Sequence, residues 1–152
     1  MPVTPGGVVA DYVPFYFAPR SPMMYAIHMG NVPTYLDGCD DIVYLCSTLG
    51  LLRDTGHEVL VTDRNAALAV AAFATNAGDL RIDWDLMRET IWKNTDEYPD
   101  RREKRMAEYL VHRLVEPTGI QALVTKSRAV AERVGRLVGD TWPVSVIGDW
   151  YF

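Results

Sequence analysis

Three observations predict an α+β fold for this sequence. Short apolar runs bounded by Gly, Pro and Asn turns read as strands. Segments with helical periodicity stand between some of them, in no repeating order. About six strands and three helices result, a mixture that excludes a sheet wound from βαβ repeats. The length of 152 residues fits one domain spanning 1–152, and a chain of that size buries roughly 68–70% of its unfolded surface. A hydrophobic fraction of 49% excludes a disordered polar chain, and 11 Gly with 9 Pro exclude a collagen-like one. Fifteen basic residues against 20 acidic ones give a net charge of −5. That balance argues against coating duplex DNA through bulk positive charge but leaves room for a local basic groove.

In chain order, residues 1–10 are Pro/Gly-rich and read as extended. In DYVPFYFAPR, Pro14 and Pro19 bias Val13 and Ala18 away from helix and demote any strand to an edge. Met23–His28 reads as a short strand ended by Gly30-Asn31, and Tyr35–Asp41 as a turn. Ile42–Ser47 is apolar enough for a strand buried on both faces. Gly50–Gly56 reads as a connection and Glu58–Thr62 as a third strand. Thr62-Asp63 then supplies a helix N-cap before the Ala-rich stretch Ala66–Ala74. Ile82–Ile91 has a helical pattern, whereas WKNTDEYPDRREKR over 92–105 reads as too polar for a core. Met106–Val111 and Ile120–Thr125 read as strands. Ser127 caps a helix with Val130, Val134, Leu137 and Val138 on one face and Gly139 at its stop, and Pro143–Ile147 is the last strand.

Cys39, in a turn and read as exposed, and Cys46, in an apolar run and read as a buried thiol, make neither a disulfide framework nor a four-ligand zinc site. They point to a reducing compartment. MPVTPGG has no basic or apolar leader pattern, and Ala66–Ala74 is too short to span a bilayer, so the expected location is the cytoplasm.

Three constellations could carry chemistry. Tyr12, Phe15, Tyr16, Phe17, Arg20, Met23 and Met24 crowd into thirteen residues. They form either an aromatic edge filling a core or a platform that stacks on a base while Arg20 reaches phosphate. Glu108 opens an apolar strand six residues after Arg102 and three after Arg105. It is either a strand-end glutamate paired with an arginine or a carboxylate addressing the reacting atom of an anionic substrate. The stretch 92–105 is either a solvated loop or a loop whose Trp92, Tyr98 and arginines grip a single nucleic-acid strand. His28, His57 and His112 lack ligand spacing, and no GxSxG, P-loop or dinucleotide fingerprint occurs, so metal and serine-nucleophile chemistry are not expected. The residues alone reach a cytoplasmic α+β domain with nucleotide binding in view, one alternative being a non-catalytic single-strand or nucleotide-binding module.

The segment VPFYFAPRSPMMY resembles the VPFYF-x-PRSPM-L-Y pattern of the DarT family, toxins that ADP-ribosylate single-stranded DNA using NAD. GNVPTYLDG, VTDRNAA, KRMAEYLV and the ending DWYF resemble further family stretches in the family's order. The resemblance implies an ADP-ribosyltransferase fold, with split mixed and antiparallel sheets around an NAD cleft and NAD consumed as substrate without a metal. It implies that Glu108 is catalytic, that Tyr16, Arg20 and Met23 lie in the element closing over NAD and the target base, and that Arg102, Arg105 and Asn65 contact DNA. It also implies a toxin–antitoxin pair with a macrodomain antitoxin, the transferase itself being a monomer. Family members begin with a further segment carrying a His-x-Thr NAD motif and an arginine. This sequence starts at MPVTPGG with neither, so a domain partial at its N-terminus, with impaired activity, is expected.

Overall fold

A computed structural model of the chain describes residues 7–152. Its regular elements are β1 (Tyr12–Tyr16), α1 (Pro22–His28), β2 (Val43–Cys46), α2 (Leu49–Asp54), β3 (Val59–Thr62), β4 (Phe73–Ala74), α3 (Trp84–Arg88), α4 (Arg101–Lys104), β5 (Glu108–His112), β6 (Ala122–Thr125), α5 (Arg128–Val138) and β7 (Val144–Val146). The mixed α+β class is as expected. The extended start expected over 1–10 lies outside the described residues for 1–6, and Val9–Asp11 is a 3₁₀ turn. The chain divides into two compact units, 7–21 with 56–115 and 22–55 with 116–152 among the described residues.

The first unit is built on an antiparallel four-stranded sheet of order β1-β5-β3-β4. The apolar run YLVH of β5 places it centrally, with Leu110 and Val111 fully buried. Tyr12, Leu60, Ala66 and Leu110 form a core cluster on one face, with Val9 and Phe73 packed against it. Pro14 puts β1 at the edge, as the sequence requires. The register pairs Pro14 with Leu110 and Tyr16 with Glu108.

The helix expected over Ala66–Ala74 does not form. The Asp63 carboxylate, expected to cap the first helical turn, instead accepts the Ala72 N–H at 3.0 Å, and Asn65 Oδ1 accepts the Ala67 N–H at 2.9 Å. Side-chain-to-backbone bonds of this kind compete with helix and here outweigh the propensity of alanine. The segment becomes a loop running into β4. The stretch 92–105 is also not uniformly solvated, for Trp92 and Arg105 are buried at 8% and 2% exposure.

The second unit holds a three-stranded sheet of order β2-β6-β7, antiparallel between β2 and β6 and parallel between β6 and β7. The parallel pair is joined through α5, whose N-cap is Ser127 and whose stop is Gly139 at φ 56°. Leu137, expected on the inner face, is 85% exposed, while Val130 is buried and Val134 and Val138 half-buried. The inner stripe is therefore the i, i+4, i+8 row. Met23–His28 is helical rather than extended, because Pro22 at the first position presets helical φ. Leu49–Asp54 is helical where a connection was expected, capped by Thr48 accepting the Leu51 N–H at 3.2 Å. Leu45 is 59% exposed and Cys46 half-buried, so β2 covers the core with one face only. Cys39, expected at the surface, is buried with Met24, Val124 and Tyr151. Among the described residues no helix is long and apolar enough to cross a membrane.

Leu110 at the sheet centre and Leu137 on α5 give opposite expectations for the same substitution. Leu110→Ala lowers the urea-unfolding free energy by about 2–5 kcal/mol, whereas Leu137→Ala changes it by less than about 0.5 kcal/mol.

Candidate active site at Glu108

Glu108 is the first residue of β5 and is 6% exposed. A carboxylate in that position requires partners. The Ala66 N–H donates to its Oε2 at 2.7 Å. The Glu108 main-chain N–H donates to Thr62 Oγ1 at 3.0 Å, and the Thr62 hydroxyl donates to the Arg64 carbonyl at 2.6 Å. One threonine thus ties the end of β3 to the head of β5 and to the start of the 63–72 loop. Asp63 fastens the far end of that loop through Ala72 and binds Arg64 through Nε and Nη2 at 3.2 and 3.1 Å. The loop carries the Ala66 amide to the carboxylate, and Glu108 Oε1 has no hydrogen-bond partner among the described residues.

Tyr16 lies opposite Glu108 across the β1–β5 pairing and is half-buried. Burial, with the Glu108 charge adding to it, pushes its phenol up to about 12, so Tyr16 keeps its O–H as a donor at ordinary pH. Burial likewise pushes the Glu108 carboxyl above the usual carboxylate range, opposed by the Ala66 N–H. The result is a carboxylate with one oxygen fixed and the other open, in surroundings that strengthen its interaction with a developing positive charge.

The other expected site residues are distributed unevenly. Asn65 is half-buried in the loop that contacts Glu108, its N–H donating to the Glu103 carbonyl at 3.3 Å. Arg20, half-buried, has φ 55°, a left-handed conformation uncommon outside glycine. Arg102 is exposed on α4; its N–H donates to Asn94 Oδ1 at 2.7 Å, and its guanidinium makes no ion pair among the described residues. Neighbouring cations are engaged: Arg101 pairs with Glu89, and Lys104 with Asp100 at 2.9 Å, which holds the Asp100 carboxyl below its usual range. Arg105, expected to face DNA, is instead buried, its guanidinium donating to the Leu86 and Pro19 carbonyls at 2.5 and 2.7 Å. Met23 lies in the other unit, 51% exposed on α1. A groove of about 630 Å³ lies along 89–101, away from Glu108, where Glu89, Asp96 and Glu97 line it with Tyr98. The roles of Thr62 and the Ala66 amide in holding Glu108 are absent from the sequence expectations. The Thr-Asp pair was the available signal, there read as a helix cap.

Two sheets, one antiparallel and one mixed, with a buried glutamate heading the central antiparallel strand, define a protein of the ADP-ribosyltransferase class. The likeness to solved structures is close. The Thermus sp. 2.9 DarT in complex with carba-NAD+ superposes with a TM-score of 0.90 at 34% identity, over all of this chain and 79% of that one. The same protein in complex with ADP-ribosylated ssDNA gives 0.90, over 74% of that chain. Among curated relatives, the DNA ADP-ribosyl transferase of Thermus sp. (strain 2.9) is 35% identical over 159 residues, covering 100% of this chain and 74% of that protein. The Thermus aquaticus enzyme of the same name is 34% identical, with 68% of it covered. The family model described as "ssDNA thymidine ADP-ribosyltransferase, DarT" matches residues 1–152, and the chain belongs to that family.

The environment of Glu108 sets a pH dependence of stability. Native Glu108 keeps its proton to higher pH than the unfolded chain does, so the stability at this position is full below the unfolded-state value and falls as pH rises through the native one. Glu108→Gln is neutral throughout and removes that fall. The stability difference between E108Q and the parent chain, from urea unfolding, therefore grows as pH rises above the ordinary glutamate value of about 4; a constant difference would contradict the burial effect.

Proposed function

We propose that the chain transfers ADP-ribose from NAD to a base in single-stranded DNA, with Glu108 as its catalytic residue. The observation that supports this most directly is the buried Glu108 carboxylate, fixed through Oε2 and open at Oε1. Breaking the nicotinamide–ribose bond sends the bonding pair to nicotinamide and leaves an oxocarbenium-like ribose carbon, as in glycoside cleavage. A carboxylate held at the 2′-hydroxyl of that ribose stabilises the positive charge and orients the sugar. A ring nitrogen of the base then forms the new bond to that carbon, and its proton passes to Glu108 or water. Thymidine, named in the family's description, is the first candidate base. The one N–H left on the base of thymidine is paired in a duplex, so a single strand avoids the cost of unpairing, about a few kcal/mol.

In this reading Tyr16, Arg20 and Met23 contact NAD or the target base, Arg20 through the diphosphate. The open guanidinium of Arg102 meets a DNA phosphate, and Asn65, next to the Ala66 amide that binds Glu108, contacts the strand. An open arginine beside Glu108's strand on a chain of net charge −5 suits a short single-strand footprint. A macrodomain antitoxin that removes the base-linked ADP-ribose completes a toxin–antitoxin pair, the transferase acting as a monomer in the cytoplasm.

Labelled NAD and single-stranded oligonucleotides with and without thymidine test the reading. Label appears on the thymidine-containing strand and not on its duplex, and Glu108→Gln lowers the rate by about 10²–10³-fold. Transfer undiminished in E108Q would remove Glu108 from the catalytic role. Oligonucleotide binding without transfer at any NAD concentration would point to a non-catalytic binding module. Arg102→Ala raises KM for the oligonucleotide and flattens the salt dependence by about 0.7 in log–log slope, leaving the affinity for NAD unchanged.

A further inference from the structure

We infer that Trp92 and Arg105 are positioning residues for NAD: together they clamp the main chain at Pro19 and Arg20 and hold Arg20 in its left-handed conformation. The inference rests on the reading of Arg20 as a contact to the NAD diphosphate. Trp92 is buried at 8% exposure, and its indole N–H donates to the Arg20 carbonyl at 2.7 Å. Arg105 is buried at 2% exposure, and one arm of its guanidinium donates to the preceding carbonyl, Pro19, at 2.7 Å. The other arm donates to the Leu86 carbonyl in α3. Two consecutive carbonyls are therefore held by side chains 72 and 86 residues away in sequence. The residue at the clamped site has φ 55°, which a Cβ-bearing residue adopts at a cost and keeps only where its surroundings over-determine it. Local chemistry helps: Pro19 fixes its own φ, and Pro22 biases the buried Ser21 away from helix.

The chemical consequence lies in direction. The backbone angles of a residue set where its side chain leaves the chain. A relaxation of Arg20 to negative φ would swing its guanidinium away from whatever the clamped conformation addresses. An arginine that recognises a diphosphate gains from its planar fork only while the fork is aimed, so alignment set in advance becomes binding affinity. Charged residues placed at 92–105 for a solvated loop would not bury an indole and a guanidinium against two carbonyls. A lysine at 105 would keep the charge and lose the fork that reaches both Pro19 and Leu86.

Trp92→Phe keeps an aromatic ring but loses the pyrrole part of the indole with its N–H donor, and Arg105→Lys keeps the charge. Both are compared with the full parent chain and with Arg20→Ala. Three measurements are made: the dissociation constant for carba-NAD by calorimetry, kcat for labelling single strands, and the rate at which trypsin cuts after Arg20. Trp92→Phe is expected to weaken carba-NAD about tenfold, in line with a buried carbonyl left without its donor. It leaves kcat within about twofold, the uniform-binding signature, and speeds cleavage at Arg20 about tenfold as the clamp opens. In the Arg20→Ala background neither substitution weakens carba-NAD further, because the residue they position is gone. Unchanged carba-NAD affinity in Trp92→Phe overturns the inference, as does an undiminished effect in the Arg20→Ala background. If Arg20→Ala itself leaves carba-NAD affinity unchanged, the assignment of Arg20 to NAD falls and the positioning role falls with it. Labelling that depends on Glu108 stands or falls separately in the oligonucleotide assay. Where Arg105→Lys unfolds the chain, as read by its thermal transition, Trp92→Phe decides the matter.

Discussion

A carboxylate taken out of water at the head of a central strand must be held, and in this chain it is held by a main-chain amide. Much of the first unit follows from that requirement. To deliver the Ala66 N–H to Glu108, the chain after β3 must leave the sheet without coiling into a helix, since a helix would use that amide or aim it elsewhere. Thr62 makes the departure point, its hydroxyl facing the Glu108 main chain and the Arg64 carbonyl at once. Asp63 makes the return point by accepting the Ala72 N–H. The loop between them is a fixed arm, and the cost of ordering it is met by bonds that also place the carboxylate.

The four cations of 101–105 divide by what they bind. Arg101 and Lys104 are bound to neighbouring acids, Arg105 is spent on carbonyls below the surface, and Arg102 stays open to solvent. The dense charge of 92–105 therefore yields far less free positive potential than its composition suggests. That agrees with a net charge of −5 and with recognition through a few aimed contacts.

The legible parts of the fold are those whose causes are local. Strands β3, β5, β6 and β7 follow from apolar runs between turn residues, and α5 from its Ser127 cap and Gly139 stop. Glu108 stands out because a carboxylate at the mouth of an apolar strand conflicts with its surroundings unless something answers it. The misread parts depend on distant partners. The Ala66–Ala74 stretch has every local reason to be helical, yet Ala66 answers to a residue 42 positions away. Trp92 and Arg105 sit among charged neighbours, and nothing nearby reveals that their donors turn back to Arg20 and Pro19. Helix α1 is missed for another reason: Met and Tyr suit either state, and the Pro22 that opens it serves as a first-turn residue.

Pro14 has one more effect, on what the molecule refuses. In the antiparallel pairing with Leu110 its nitrogen, which carries no hydrogen, faces away from β5, so the outer rim of β1 lacks a donor at its midpoint. The opposite rim of the same sheet is β4, only two residues long. A stray strand from another chain would find one border interrupted and the other too brief to zip along. The residue that confines β1 to the border thus also makes that border a poor template for a second strand.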